Sequence, residues 1–265
     1  MLKLNDLSKA VLYTAFVMII ATVMGSVFKV QGSTYMYSPL LAVIVTLLVT
    51  GDIRKKEEWQ SLGLHRTGYH RWGFALLVPM LVLSIAAIIK WATPFASLSQ
   101  PEQLAGSMFW VLLIKIPLVF LFYTLTSAIG EEIGWRGYLL PKLKELGWKK
   151  AIWLSGLIHA VFHFPIILSG NYLNEGNPLV VIPFFIVMTL IGGFLFGYLR
   201  LVTGSVWAPA IMHSSHNISY AVLSDFTKTH SDLAEYVGGE AGIVVIILYA
   251  LIVWFIIKKR NVTSE

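Results

Sequence analysis

The 265-residue chain contains no cysteine. Disulfides, thiol nucleophiles, thiolate-ligated zinc and cysteine-linked lipid anchors are thereby excluded, and redox chemistry says nothing about the compartment. Charge is scarce as well: Asp, Glu, Lys and Arg make up 13% of the residues, against about 25% in ordinary soluble domains. No polar block is long enough to form a soluble domain, and no internal repeat or low-complexity tract is visible. The zincin motif HExxH is also missing. What fills the chain is apolar: 57% of residues are hydrophobic and the mean hydropathy is +0.73. Apolar runs recur from end to end, which defines a polytopic membrane protein, read as a single domain over 1–265.

A span needs about 20 predominantly apolar residues. Eight runs near that length are bounded by charge or by Gly/Pro/Asn clusters: approximately 10–28, 35–50, 72–92, 106–129, 151–169, 178–199, 204–223 and 241–257. The expected fold is therefore all-α, a bundle of about eight transmembrane helices. Pro117 and Gly130 allow the fourth run to be broken into an outer segment and a helix continuing to Leu140. The N-terminal run has no convincing cleavage site and is read as a retained first span. Segment 141–150 reads as a short interfacial stretch.

The basic residues orient the bundle. An internal N-terminus gathers Lys3, Lys9, Arg54, Lys55, Lys56, Arg66, Arg71, Arg136, Lys142, Lys144, Lys149, Lys150, Arg200, Lys258, Lys259 and Arg260 on the cytoplasmic side. Lys29, Lys90 and Lys228 fall on the other side, and Lys115 within a span. The positive-inside rule then places both termini in the cytoplasm and the acidic loop 224–240 outside. The same distribution accounts for the net charge of +6 without nucleic acid, because the basic residues sit in short runs between spans.

Ionisable residues within spans are costly and usually functional. Here they cluster in three places: Glu131-Glu132-Ile-Gly-Trp-Arg136; HAVFHFP, with His159 and His163 four apart; and MHSSHN, with His213 and Asn217 on one helical face beside His216. Counted from Lys142, Lys150 and Arg200 along helices, Glu131, His163 and His213 each lie roughly 16–20 Å from the basic flank. One shared site reached from that flank is the expectation. Glu132 and Arg136, four apart with the acid first, suit a local ion pair, which leaves Glu131 without a partner on its own helix.

These groups suffice for amide hydrolysis. A Glu beside a neutral His can deprotonate water, and His213 with Asn217 can donate to the resulting oxyanion. Ser214 and Ser215 leave a serine nucleophile open. A metal stays open too: His159 and His163 can chelate zinc from one helix face, with His213 or Glu131 completing the set. Proton-coupled transport is a further use of intramembrane Glu and His, although no paired broken spans suggest it.

Taken together, the three motifs resemble those of the CAAX-protease and bacteriocin-processing (Abi) family of intramembrane glutamic endopeptidases. Glu131-Glu132-Ile-Gly-Trp-Arg136 is similar to its EExxxR motif, HAVFHFP to its FxxxH, and His213 with Asn217 to its HxxxN. The resemblance covers about 90 residues and implies a family-like core over approximately 118–223. It implies that Glu131 and His163 activate water, that His213 and Asn217 stabilise the oxyanion, and that Glu132 and Arg136 support the first motif. It also implies an eight-helix fold with a cavity facing the cytoplasm, a peptide or protein substrate, no cofactor, and residence in a bacterial cell membrane. His159 stands where the family has Phe, which keeps zinc in play. Peptide maturation, bacteriocin self-immunity and a non-catalytic immunity or scaffold role are all compatible with the motifs. Substrate and oligomeric state do not follow from them.

Overall fold

The computed structural model describes residues 4–30, 32–101 and 110–259. Lys3, Arg260 and residues 106–109, where the fourth apolar run was expected to begin, lie outside the described residues. The elements are α1 (Asp6–Val27), α2 (Gly32–Thr50), the short α3 (Lys56–Ser61), α4 (Tyr69–Trp91), β1 (Ala96–Leu98), α5 (Val111–Lys142), α6 (Trp148–Leu168), α7 (Pro178–Thr203), α8 (Trp207–Asp225), β2 (Thr227–Thr229), α9 (Leu233–Gly238) and α10 (Ile243–Lys259). The protein is an all-α integral membrane bundle. Among the described residues, seven helical segments are long and apolar enough to cross a bilayer, the last running from Leu233 to Lys259 through α9 and α10.

The remaining long helix, α8, has 19 residues. It falls short on hydropathy because His213, Ser214, Ser215, His216 and Asn217 interrupt it. The first four of these are buried, and α8 packs chiefly against α4, with α7 beside it. Its polarity is turned inward, the orientation that lets such residues exist at membrane depth.

The fourth run is not broken at Pro117 or Gly130. α5 is helical throughout its 32 residues, and the irregularity is taken up by π-helical turns at Val111–Lys115, Thr124–Ala128 and Ile133–Leu139. The first precedes Pro117, which cannot supply an amide hydrogen to the turn before it. Around the second, the Thr124 and Thr126 hydroxyls donate to the carbonyls of Phe120 and Phe122 at 2.8 and 2.6 Å. Backbone acceptors are thus satisfied without a break.

The connections sort to two ends. At one end Lys9 pairs with Glu58 at 2.8 Å and with Asp52, while Lys142 pairs with Asp6 at 2.9 Å and with Glu58. Arg200 donates to the carbonyls of Arg136 and Ser61 at 2.9 and 2.6 Å, and Ser205 Oγ to that of Arg66 at 2.6 Å. The starts of α1 and α8, the 51–71 connection and the ends of α5 and α7 therefore form one basic belt. At the other end β1 pairs antiparallel with β2, Ser97 opposite Lys228. α6 and α7 approach closely at small residues. A Cβ on Gly197 would meet Ile152 at 2.7 Å, and one on Gly193 would stand 3.3 Å from Gly156 Cα. Such contacts are what hold helices together where lipid offers no hydrophobic drive.

Candidate active site

α5, α6 and α8 bring the three polar motifs into one buried cluster. Glu131 and Glu132 are 1% and 0% exposed, in the four-residue α-helical stretch between two π turns of α5. Glu132 accepts from Arg136 Nη1 at 2.9 Å, the expected i, i+4 pair. The same oxygen, Oε1, also lies 3.0 Å from His213 Nδ1. Glu132 thus links α5 to α8, a role that sequence spacing did not indicate.

Glu131 has a different set of neighbours. His159 Nε2 lies 3.1 Å from its Oε2, and Trp135 Nε1 makes a long contact to the same oxygen at 3.4 Å. The expectation that Glu131 has no partner on its own helix and meets His163 first is corrected: Trp135 and His159 come first. The reason is register, because His159 faces α5 while His163 stands one turn further along α6. The two imidazoles are 5.1 Å apart by ring centroid, and His159 is 6.3 Å from His213.

The hydrogen bonds assign proton positions. His163 Nδ1 lies 2.9 Å from the His159 carbonyl, which can only accept, so Nδ1 carries hydrogen and neutral His163 keeps a lone pair on Nε2. His213 Nδ1 faces the Glu132 carboxylate, so its Nε2 donates only when the ring is doubly protonated. Asn217 Nδ2 donates to Tyr123 Oη at 2.7 Å, and that hydroxyl donates to Met36 Sδ at 2.9 Å, a weak acceptor. Tyr123 was missed by sequence reasoning. Its only signal was a tyrosine eight residues before Glu131 in the same helix. The serines are not aligned with imidazole: Ser215 Oγ donates to the Leu76 carbonyl at 2.6 Å, and Ser214 Oγ has no hydrogen-bond partner.

Glu131, His159 and His163 offer three ligand atoms within 4.8 Å of one another. That donor set suits zinc. His213, committed to Glu132 through Nδ1, is not among the three, so the four-residue ligand set considered from the sequence contracts to these.

A cavity of about 270 Å³ contains Glu131, His159, His163, His213, Asn217 and Tyr123 in its wall. It is completed by Gly32 and Ser33 at the start of α2 and by Asn171, Tyr172 and Glu240 of the connections, all from the end opposite the basic belt. On the belt side the wall is Phe196, stacked on His213 at 5.7 Å, with the buried Glu132–Arg136 pair behind. A depth of roughly 16–20 Å from the basic flank already passes the middle of a ~30 Å hydrocarbon core. His163 is five residues from the far end of α6. His213 is shallower than the count from Arg200 gave, because the chain reverses at Gly204, in left-handed backbone with φ 63°, and starts α8 only at Trp207. Glu240, assigned by sequence to an external acidic loop, is 9% exposed and in the cavity wall.

Fold and site define a membrane-embedded bundle with a carboxylate–imidazole centre inside it. Residues 110–219 match the family model for the type II CAAX prenyl endopeptidase Rce1-like proteins. A stretch of 100 residues is 34% identical to CAAX prenyl protease 2 of Methanococcus maripaludis, covering 37% of this chain and 34% of that protein. Through this segment the chain is similar to the CAAX-protease family. It spans about a third of the length of the curated relative it matches.

Proposed function

We propose that this protein is an intramembrane endopeptidase of the glutamic type. Glu131 takes a proton from water, His159 orients that carboxylate, and the lone pair of His163 Nε2 holds the same water from the neighbouring turn. Attack on a peptide carbonyl makes an oxyanion, for which Asn217, the Tyr123 hydroxyl and protonated His213 are the donors. A single such donor contributes about 2.7–4 kcal/mol in hydrolases. The observation that carries the reading is the convergence of Glu131 and His159 at 3.1 Å, with His163 beside them, in a cavity of about 270 Å³. The match of residues 110–219 to the CAAX prenyl endopeptidase model supports the reaction class. By the positive-inside rule the belt is cytoplasmic and the termini lie with it.

Zinc is the second reading, favoured by the three converging ligand atoms. Glu131, His159 and His163 would hold the ion, which would supply Lewis acidity and a water of lowered pKa.

The direct test compares peptides in membranes carrying wild-type protein or Glu131→Gln. Cleavage by the variant should fall about 10²–10⁴-fold, with insertion and thermal stability kept. Full activity in Glu131→Gln would refute the proposed water activation. Retention of a biological effect such as producer self-protection without cleavage would point to the immunity or scaffold role.

A further inference from the structure

The cavity holds a second set of polar groups that the proposed reaction does not use. Glu240, in the turn between α9 and α10, accepts from Tyr172 Oη at 2.9 Å through Oε2. His216, 6% exposed, faces Tyr249 Oη at 2.9 Å through Nδ1. Among the described residues His216 Nε2 is buried without a hydrogen-bond partner, and it stands 3.9 Å from Glu240 Oε1, too far for a hydrogen bond. Among the described residues no lysine or arginine forms an ion pair with Glu240. A buried carboxylate without a cation is costly.

The spacing says what would fit. In the tautomer that gives Nδ1–H to Tyr249, Nε2 carries a lone pair, and two acceptors 3.9 Å apart then border the same cavity. A group with several hydrogens on one nitrogen can sit between them at about 2.8–2.9 Å from each. We propose that Glu240 and His216 form a recognition subsite for a cationic nitrogen of the substrate, a basic side chain or a free α-amino group. Tyr172 joins this subsite to the reaction centre: its hydroxyl holds Glu240, and its ring lies 5.6 Å from that of His163. The cation is therefore read close in sequence to the bond that is cut. Glu175, Asp232 and Glu235 lie in the connections and the short helix at the same end of the bundle, a charge that favours entry of a cationic peptide there.

The inference rests on the cavity being a peptide site, and binding tests it separately from turnover. The full-length Glu131→Gln protein in detergent micelles is titrated with fluorescein-labelled apolar decapeptides in which one lysine is scanned along the chain. Each peptide has a norleucine counterpart, and the set is made with free and with acetylated N-termini. At one position, or at the free N-terminus, the cationic peptide should bind at least tenfold tighter than its neutral counterpart. Adding Glu240→Gln should remove that advantage while neutral peptides bind as before. An advantage absent at every position, or unchanged by Glu240→Gln, overturns the subsite. If Glu240→Gln does not hold the fold, Glu240→Asp replaces it and should cut the preference at least threefold; an unchanged preference again overturns the subsite. The same peptides incubated with wild-type protein and read by mass spectrometry test the protease. Charge-dependent binding without cleavage upholds the subsite and counts against the protease, whereas cleavage without charge preference does the reverse.

Discussion

Glu131 and Glu132 are neighbours in the chain, yet they face different helices, because about 100° of helical rotation separates them. Glu132 meets Arg136 and His213 and has the character of a tie, its charge balanced by the guanidinium. Among the described residues Glu131 meets Trp135 and the imidazole of His159, and unlike Glu132 it is in the cavity wall. The pairing of Glu132 with Arg136 was legible from spacing. The primacy of His159 over His163 was not, since both lie on one face of α6 and only the rotation of that helix against α5 ranks them. His159→Phe, which restores the residue of the FxxxH motif, separates the two chemical readings. If His159 only orients Glu131, one hydrogen bond of about 0.5–1.5 kcal/mol is lost, and cleavage should drop by roughly three- to tenfold. His163→Ala should cost far more. If instead zinc is held there, His159→Phe removes a ligand, and both bound metal and activity should be lost. Metal analysis of the purified variants beside their cleavage rates decides between these outcomes.

At the scale of elements, the eight apolar runs fall on seven helical segments long and apolar enough to cross and on α8, and what hydropathy missed followed from tertiary packing. α8 reads as a weak span because its polar residues are turned inward, and Glu240 reads as an external acid because nothing in Gly238-Gly239-Glu240 announces that this turn folds back into the cavity. The π turns of α5 were illegible for a different reason: they depend on which carbonyls neighbouring helices and threonine hydroxyls satisfy. Gly134, in the last π stretch, shows how tightly this helix is gripped. A Cβ there would collide with the Pro39 Cβ and the Tyr13 hydroxyl and stand 3.1 Å from the Pro39 carbonyl carbon, which is backbone and cannot rotate away. Gly134→Ala should therefore destabilise the protein by about 1–3 kcal/mol and weaken cleavage by displacing Glu131 and Arg136. Gly73→Ala in α4, where a Cβ meets nothing within 4 Å, is the control: it should leave cleavage unchanged and should not lower the melting temperature, since Ala favours helix over Gly.

For the molecule as a whole, the basic belt does more than orient the chain in the bilayer. Lys9 of α1, Asp52 and Glu58 of the connection, and Lys142 of α5 form one continuous charge cluster, so the belt clamps the first, second and fourth crossings together below the cavity. The sequence marked these residues only as cytoplasmic cations, and their acidic partners were not singled out. Burial tends to raise the pKa of Asp52, but hydrogen bonds from Lys55, Lys9 and Thr50 outweigh it and bring the value down to about 2, from an ordinary 3.8. Burial acts in the same direction on Glu58 and is likewise outweighed, by Lys142 and Lys9. A carboxylate whose folded pKa is depressed stabilises the fold above its unfolded pKa, and that contribution disappears as the pH falls through the folded value. The clamp should accordingly be intact above about pH 4 and lost progressively toward pH 2. Thermal melting of the detergent-solubilised protein from pH 6 down to pH 2 should show a fall in melting temperature concentrated in that window. Asp52→Asn should start from a lower melting temperature and fall less steeply between pH 4 and pH 2. Parallel curves for the variant and wild type would mean that Asp52 contributes nothing to holding the crossings together.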